Sequence, residues 1–188
     1  MRAWLKRIRW GAAPIIIVSL VLATLAVEMS NPQDKHEHPI PTAMGSWGRV
    51  SKAVEFRVND VRVGSTLANG KGQPERISQG QFVVVNVSLR TDQATNGSLS
   101  VTVRTRDNTE HRAGTARYEA GFVVTSDMAF ELPQDQLEGA VITARESRAV
   151  IALERLVVVD LGLTRDKVAA LPRYQTVALG EDSKEAYR

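Results

Sequence analysis

Residues 10–27, WGAAPIIIVSLVLATLAV, carry no charged side chain, and Arg2, Lys6, Arg7 and Arg9 stand directly before them. This stretch constrains the chain more than any other. A helix of roughly 17–25 apolar residues spans the hydrocarbon core of a bilayer. The run from Trp10 through Ile15 and Leu20 to Val27 meets that length at its short end. Its nine Ile, Val and Leu residues each favour insertion by about 0.3–0.6 kcal/mol, together by about 3–5 kcal/mol. Pro14 falls in the first turn, where a missing N–H is tolerated. Trp4 and Trp10 flank the run as interfacial anchors do. The sequence predicts a single transmembrane helix over 10–27.

Orientation follows from charge. No acidic residue precedes Glu28, so the positive-inside rule keeps residues 1–9 in the cytoplasm and exports the rest. The expected protein is single-pass in the cell membrane, with an extracytoplasmic C-terminal domain. The alternative is a cleaved signal peptide, for which Thr24-Leu25-Ala26 offers a small-x-small site, although the apolar run is long for such a leader.

The net charge of +3 invites a nucleic-acid reading, which fails once the charges are located. Four of the 24 Lys and Arg precede Glu28, and the remaining 20 face all 21 Asp and Glu, a net of −1 for the exported part. The chain has no cysteine, which excludes disulfides, Cys-zinc sites and Cys nucleophiles. That composition fits a bacterial exported protein better than a eukaryotic secreted one.

Residues 28–48 hold Pro32, Pro39 and Pro41 and little that is apolar before Met44 and Trp47, so they read as a semi-stiff spacer. From Val50 the apolar residues alternate, the mark of strands with one buried face. Val54, Phe56 and Val58 set one phase. Asn59-Asp60 shifts it to Val61 and Val63, which predicts a bulge. In residues 81–89, Val83, Val85, Val87 and Leu89 form one face, while the other begins with Phe82 and Val84 and turns polar at Asn86 and Ser88. This predicts a central strand buried on both sides at its start. Asp107-Asn108 marks a turn, residues 113–122 a crossing between sheets, and Pro133 a strand end. Thr164 reads as the N-cap of a short helix, followed by a tail expected to fray. Seven or eight short strands with turns about every ten residues predict an all-β chain, a sandwich or barrel over 49–163, with a short helix and tail over 164–188.

The rhythm of the strand Gly80-Gln81-Phe82-Val83-Val84-Val85-Asn86-Val87, the turn Asp107-Asn108, the step Ala120-Gly121-Phe122 and Met128-Ala129-Phe130-Glu131-Leu132-Pro133 resembles the DUF4352-type, MPT63-like immunoglobulin fold of bacterial exported proteins. The basic, Trp-containing N-terminus is similar to that of membrane-tethered actinobacterial proteins. Asn108 stands where that family commonly has glycine. The resemblance covers roughly residues 50–163. It implies an immunoglobulin-like β-sandwich with an envelope role and no shared catalytic residues.

Catalytic chemistry finds no constellation. His111 is the only histidine inside the predicted domain and sits beside a turn with Glu110 and Arg112. His36 and His38 lie two apart and lack a third ligand, and Asp107, Asn108 and Glu110 lack calcium-loop spacing. No catalytic, cofactor-binding or metal residue is nominated. Arg104, Arg106, Arg112 and Arg117 fall near one hairpin and form a candidate anion patch, against the plainer reading of polar strand faces balanced by Asp107, Glu110 and Glu119. The expected function is that of a membrane-anchored binding or scaffold module whose partner is another envelope or membrane protein. The alternatives are a ligand- or polymer-binding envelope protein and an envelope enzyme.

Overall fold

The computed structural model describes residues 38–187 apart from 70–72, 95, 147–154 and 173–174. The chain divides into two compact units, Met1–His36 and Glu37–Arg188, and the described residues all lie in the second. The expected transmembrane helix, its Trp10, Ile15, Leu20 and Val27, and the basic residues Arg2, Lys6, Arg7 and Arg9 lie outside the described residues. Among the described residues no helix is long and apolar enough to cross a membrane.

Eleven strands are described: β1 His38–Thr42, β2 Gly48–Arg49, β3 Val54–Asn69, β4 Gln73–Thr91, β5 Gly97–Arg104, β6 Glu110–Tyr118, β7 Phe122–Leu132, β8 Val141–Glu146, β9 Arg155–Asp160, β10 Thr176–Leu179 and β11 Ser183–Ala186. They form two sheets. The first has the order β1-β9-β8-β5-β6 and the second β10-β3-β4-β7-β11, with β2 paired to β3. The chain changes sheets between β1 and β2, β4 and β5, β6 and β7, β7 and β8, and β9 and β10, so strands distant in sequence become neighbours. One helix is described, α1 over Arg165–Ala169. Its N-cap is Thr164, whose hydroxyl accepts from Lys167 N at 3.5 Å.

The fold is that of an all-β sandwich, and its core follows from the alternation. Val83, Val85, Val87 and Leu89 of β4 are fully buried, as are Leu99, Val101 and Val103 of β5 and Ile142, Ala144, Val157 and Val159 of β8 and β9. Each buried Val or Leu contributes about 1.5–3 kcal/mol, so this layer supplies most of the driving force. The β3–β4 register slips between Val58 and Asp60, where the apolar phase shifts. β4 is buried on both sides at its start: Phe82 and Val84 join Leu67 and Val177 in a second cluster, backed by Ala129 and Leu179. Asn108 has φ of 67°, the left-handed conformation that asparagine adopts most readily after glycine.

Three expectations are corrected. The spacer expected over 28–48 gives up its end to the sandwich. β1 pairs in parallel with β9, His38 opposite Arg155 and Thr42 opposite Val159, and Gly48 is buried against Val157 and Thr42. Prolines are tolerated there because β1 is an edge strand. The tail expected to fray after α1 instead forms β10 on β3 and β11 on β7. Strands of four residues are too short for a two-residue period to reveal. The crossing expected over 113–122 is confined to residues 119–121, since β6 stays paired with β5 to Tyr118.

Candidate binding face

Register decides which side chains share the outer face of the first sheet. Directly opposed residues of an antiparallel pair project to the same side. Leu99 faces Ala116 and Val103 faces His111, and Leu99, Ala116 and Val103 are buried, so that parity points inward. The other parity is the outer face. Along β5 it carries Ser98 opposite Arg117, Ser100 opposite Thr115 and Arg145, Thr102 opposite Arg112 and Thr143, and Arg104 opposite Glu110 and Val141.

A bulge makes this possible. Arg112 and Arg117 are five residues apart, and a regular strand would send them to opposite faces. Val101 opposes Gly114 but Thr102 opposes Arg112, leaving Ala113 as the extra residue. Gly114 takes φ of 139°, a conformation open to glycine and costly for other residues. The bulge thereby brings Arg112 onto the same face as Arg117.

Of the four arginines nominated from sequence, Arg104, Arg112 and Arg117 thus share one face. Arg106 does not; it lies in the β5–β6 turn and pairs with Glu138 at 3.5 Å. Arg145 joins the face and was missed, because it lies 28 residues beyond Arg117 and only the β5–β8 register brings it there. Thr102 and Thr143 hydroxyls bond each other at 2.7 Å and are 3% and 4% exposed, although they lie on the solvent side. Arg112 meets Glu110 at 3.8 Å with its side chain 66% exposed, a weak pair. Glu110 and Asp160 both stand at the Arg104 end, so among the described residues this register places four cations and two acids on the face.

The turn at that end is rigid. Asp107 accepts from the Thr105 hydroxyl and, at 3.3 Å, from Thr109 N. The Thr105 hydroxyl bond, followed by the Thr109 N–H, holds the Asp107 carboxyl below its ordinary range. Two open clefts of about 360 and 380 Å³ lie nearby, one lined by Gln79, Gly80 and residues 131–134, the other by Arg106, Asp107, Asp135, Gln136 and Glu138. Glu138 is shared by Arg106 and Arg165, and His111 Nε2 meets the Gln136 amide oxygen at 3.2 Å. Asp107 and Glu138 are thus engaged with the turn and with cations, the histidine's partner is an amide, and beside the first cleft the Ser78 hydroxyl donates to Glu131 at 2.7 Å. Among the described residues no group of three or more His, Asp or Glu is placed to hold a metal.

The outer face of the second sheet carries a side-chain network. Asp127 of β7 is its hub, with a side chain 2% exposed. One carboxylate oxygen accepts from Gly180 N at 2.6 Å and Arg62 Nη2 at 2.5 Å; the other accepts from Asn86 Nδ2 at 2.7 Å. Burial pushes the Asp127 carboxyl up, and the Gly180, Asn86 and Arg62 donors outweigh it, leaving the group below its ordinary value. Asn59, Ser88 and Thr125 extend the network. Further along, the Arg57 and Arg90 guanidiniums lie 4.5 and 4.3 Å from the Trp47 ring centroid, and Arg90 is also 4.8 Å from Tyr187. Glu55 joins Arg90 at 2.6 Å and Arg49 at 3.2 Å; burial raises its carboxyl, and these two arginines bring it below its ordinary range. The polar positions Asn86, Ser88 and Asp127 on strands otherwise apolar were the sequence signal of this network.

No family model and no curated protein matches the sequence. Among solved structures the chain is similar to the yjhA protein of Bacillus subtilis, at 11% identity and a TM-score of 0.47 over 63% of this chain and 97% of that one. It is also similar to an uncharacterized β-sandwich protein of Clostridium difficile 630, at 8% identity and a TM-score of 0.46 over 70% of this chain and 99% of that one.

Proposed function

We propose that the protein is a membrane-anchored extracytoplasmic binding module of the bacterial envelope, an immunoglobulin-like sandwich of the DUF4352-type, MPT63-like kind, which docks its partner on the outer face of the first sheet. The uncharged run 10–27 behind four basic residues supports the anchor and its orientation. Strand order supports the immunoglobulin-like assignment: β3-β4-β7 in one sheet and β6-β5-β8-β9 in the other, with crossings after β4, β6 and β7, is Greek-key connectivity. The observation that carries the docking face is the four-arginine surface, across which no described element runs.

Strand addition is the mode least favoured. The free edge of β6 carries a bulge and arginines, and that of β1 carries Pro39 and Pro41. β10 and β11 cover four residues each of the β3 and β7 edges. These are the devices that stop sheets from pairing. A partner therefore meets side chains on a face, and in this reading it is a neighbouring component of the envelope.

The absence of cysteine makes the topology directly testable. Asp135 is exposed, so Asp135→Cys creates a unique label site. In intact cells a membrane-impermeant maleimide is expected to label it, and the labelled full-length chain is expected in the membrane fraction. Labelling only after lysis refutes the orientation. A labelled chain in the medium lacking residues up to Ala26 refutes the anchor while leaving export standing.

A further inference from the structure

The outer face of the first sheet carries one arginine per rung. Taking β5 as the ruler, Arg117 stands at the level of Ser98, Arg145 at Ser100, Arg112 at Thr102, and Arg104 at its own position. Residues two apart on a strand are separated by about 6.7 Å, and adjacent strands by about 4.8 Å. Four guanidiniums thus recur along roughly 20 Å, offset sideways by no more than one strand to either side of β5, which the long side chains can span.

We infer that this face binds a linear phosphodiester polymer of the envelope, seating one phosphate per rung. The inference rests on the binding-module reading above and specifies its partner. Three observations carry it. Arginine is the side chain suited to phosphate, because its planar fork donates two parallel bonds. Ser100 and Thr115 place hydroxyls on one rung, where they donate to phosphate oxygens or to the polymer's own hydroxyls, and the Thr102 and Thr143 hydroxyls, bonded to each other, form the floor beneath the next. The face presents no aromatic ring at these positions, so it lacks the stacking platform that neutral sugars or single-stranded bases use. A surface of evenly spaced cations on a rigid sheet matches a chain whose charges recur at a similar interval. It does not match an isolated anion, which one rung would satisfy.

The test uses the full chain in detergent micelles and a synthetic glycerol-phosphate hexamer as probe. Binding is expected to weaken steeply with salt, with a log–log slope of about −3 for four phosphate contacts. Arg112→Gln and Arg104→Gln are each expected to lower affinity roughly five- to tenfold and to flatten the slope by close to one unit. Arg106→Gln, in the turn and outside the face, is expected to leave both unchanged. Inorganic phosphate and a polyglutamate of equal charge are expected to compete at least tenfold more weakly. Absence of binding at low salt by a folded protein overturns the inference. So does equal competition by inorganic phosphate, a thymidine oligomer binding tenfold tighter than the hexamer, or an equal effect of Arg106→Gln. These outcomes are independent of membrane topology, so failure here is distinguishable from failure of the anchor.

Discussion

Replacing Asp127 with asparagine tests whether the C-terminal tail is held by the buried carboxylate. The substitution is isosteric and leaves no cavity, so its cost is electrostatic. All three contacts to the carboxylate are donors: Gly180 N, Arg62 Nη2 and Asn86 Nδ2. An asparagine amide keeps one oxygen and must point its NH₂ at a donor in either orientation. Hydrogen bonds to a charged group contribute about 1.5–3 kcal/mol each, but Gly180 is exposed and the Arg62 side chain is 37% exposed, so those two count for about 1 kcal/mol each. Asn86, half-buried and without water to turn to, adds about 1 kcal/mol, for about 3 kcal/mol in total. For a domain of this size that lowers Tm by roughly 6–12 °C. The location matters more than the sum. Gly180 sits between β10 and β11, so hydrogen exchange of amides 176–186 is expected to accelerate first, ahead of β4 and β5. Asp127→Asn with wild-type exchange across 176–186 would refute the role given to this carboxylate.

Three further perturbations follow from the same geometry. Trp47→Ala removes the ring on which Arg57 and Arg90 rest, and is expected to cost about 2 kcal/mol in urea denaturation at about 0.5–1 kcal/mol per cation–π contact plus lost packing; a loss under 0.5 kcal/mol would show that the arginines stand unaided. Acid should destabilise the sandwich through Asp127 and Glu55, whose folded carboxyls lie below their unfolded values near 3.9 and 4.3. Depressed values stabilise above the unfolded pKa, so the contribution is complete above about pH 5 and is lost as pH falls through the folded values. Urea midpoints between pH 6 and 3 are expected to fall less steeply in Asp127→Asn, and identical slopes would contradict this. Gly80→Ala places a Cβ 2.2 Å from the Leu132 carbonyl oxygen, a backbone atom that cannot swing aside, and is expected to cost about 1–3 kcal/mol by shifting the β4–β7 pairing; wild-type stability in that variant would mean the strand end is freely adjustable.

The strong strands were legible because their neighbours impose one clear choice. Alternation in β5 and in the second half of β4 marks a single buried face, and the phase shift at Asn59-Asp60 announces the first register shift between β3 and β4. The bulge at Ala113 was not legible: β6 is an edge strand with mostly exposed residues, so no apolar phase records the slip. That omission mattered for the site, since only the bulge aligns Arg112 with Arg117, and only the β5–β8 register adds Arg145. The short strands escaped for a related reason. β1 is set by pairing with β9, more than a hundred residues later, and β10 and β11 by pairing to β3 and β7. Composition around them reads as spacer and tail because their stability comes from tertiary pairing and very little from their own sequence.

The position of these short strands also bears on how the molecule meets others. A sandwich offers a partner two edges per sheet and two outer faces. Here the tail lays a strand on each side of β3-β4-β7 and bonds to Asp127 between them, which covers Thr66–Asn69 of one edge and Phe122–Thr125 of the other. In the other sheet, prolines blunt one edge and a bulge with arginines blunts the other. The face that no described element crosses is the one where Arg104, Arg112, Arg117 and Arg145 stand beside threonines and serines. A fold that needed only solubility has little use for a bulge that turns a fourth cation toward three others, because like charges brought together on one face repel. In the reading proposed above, a partner bearing regularly spaced negative charge offsets that repulsion.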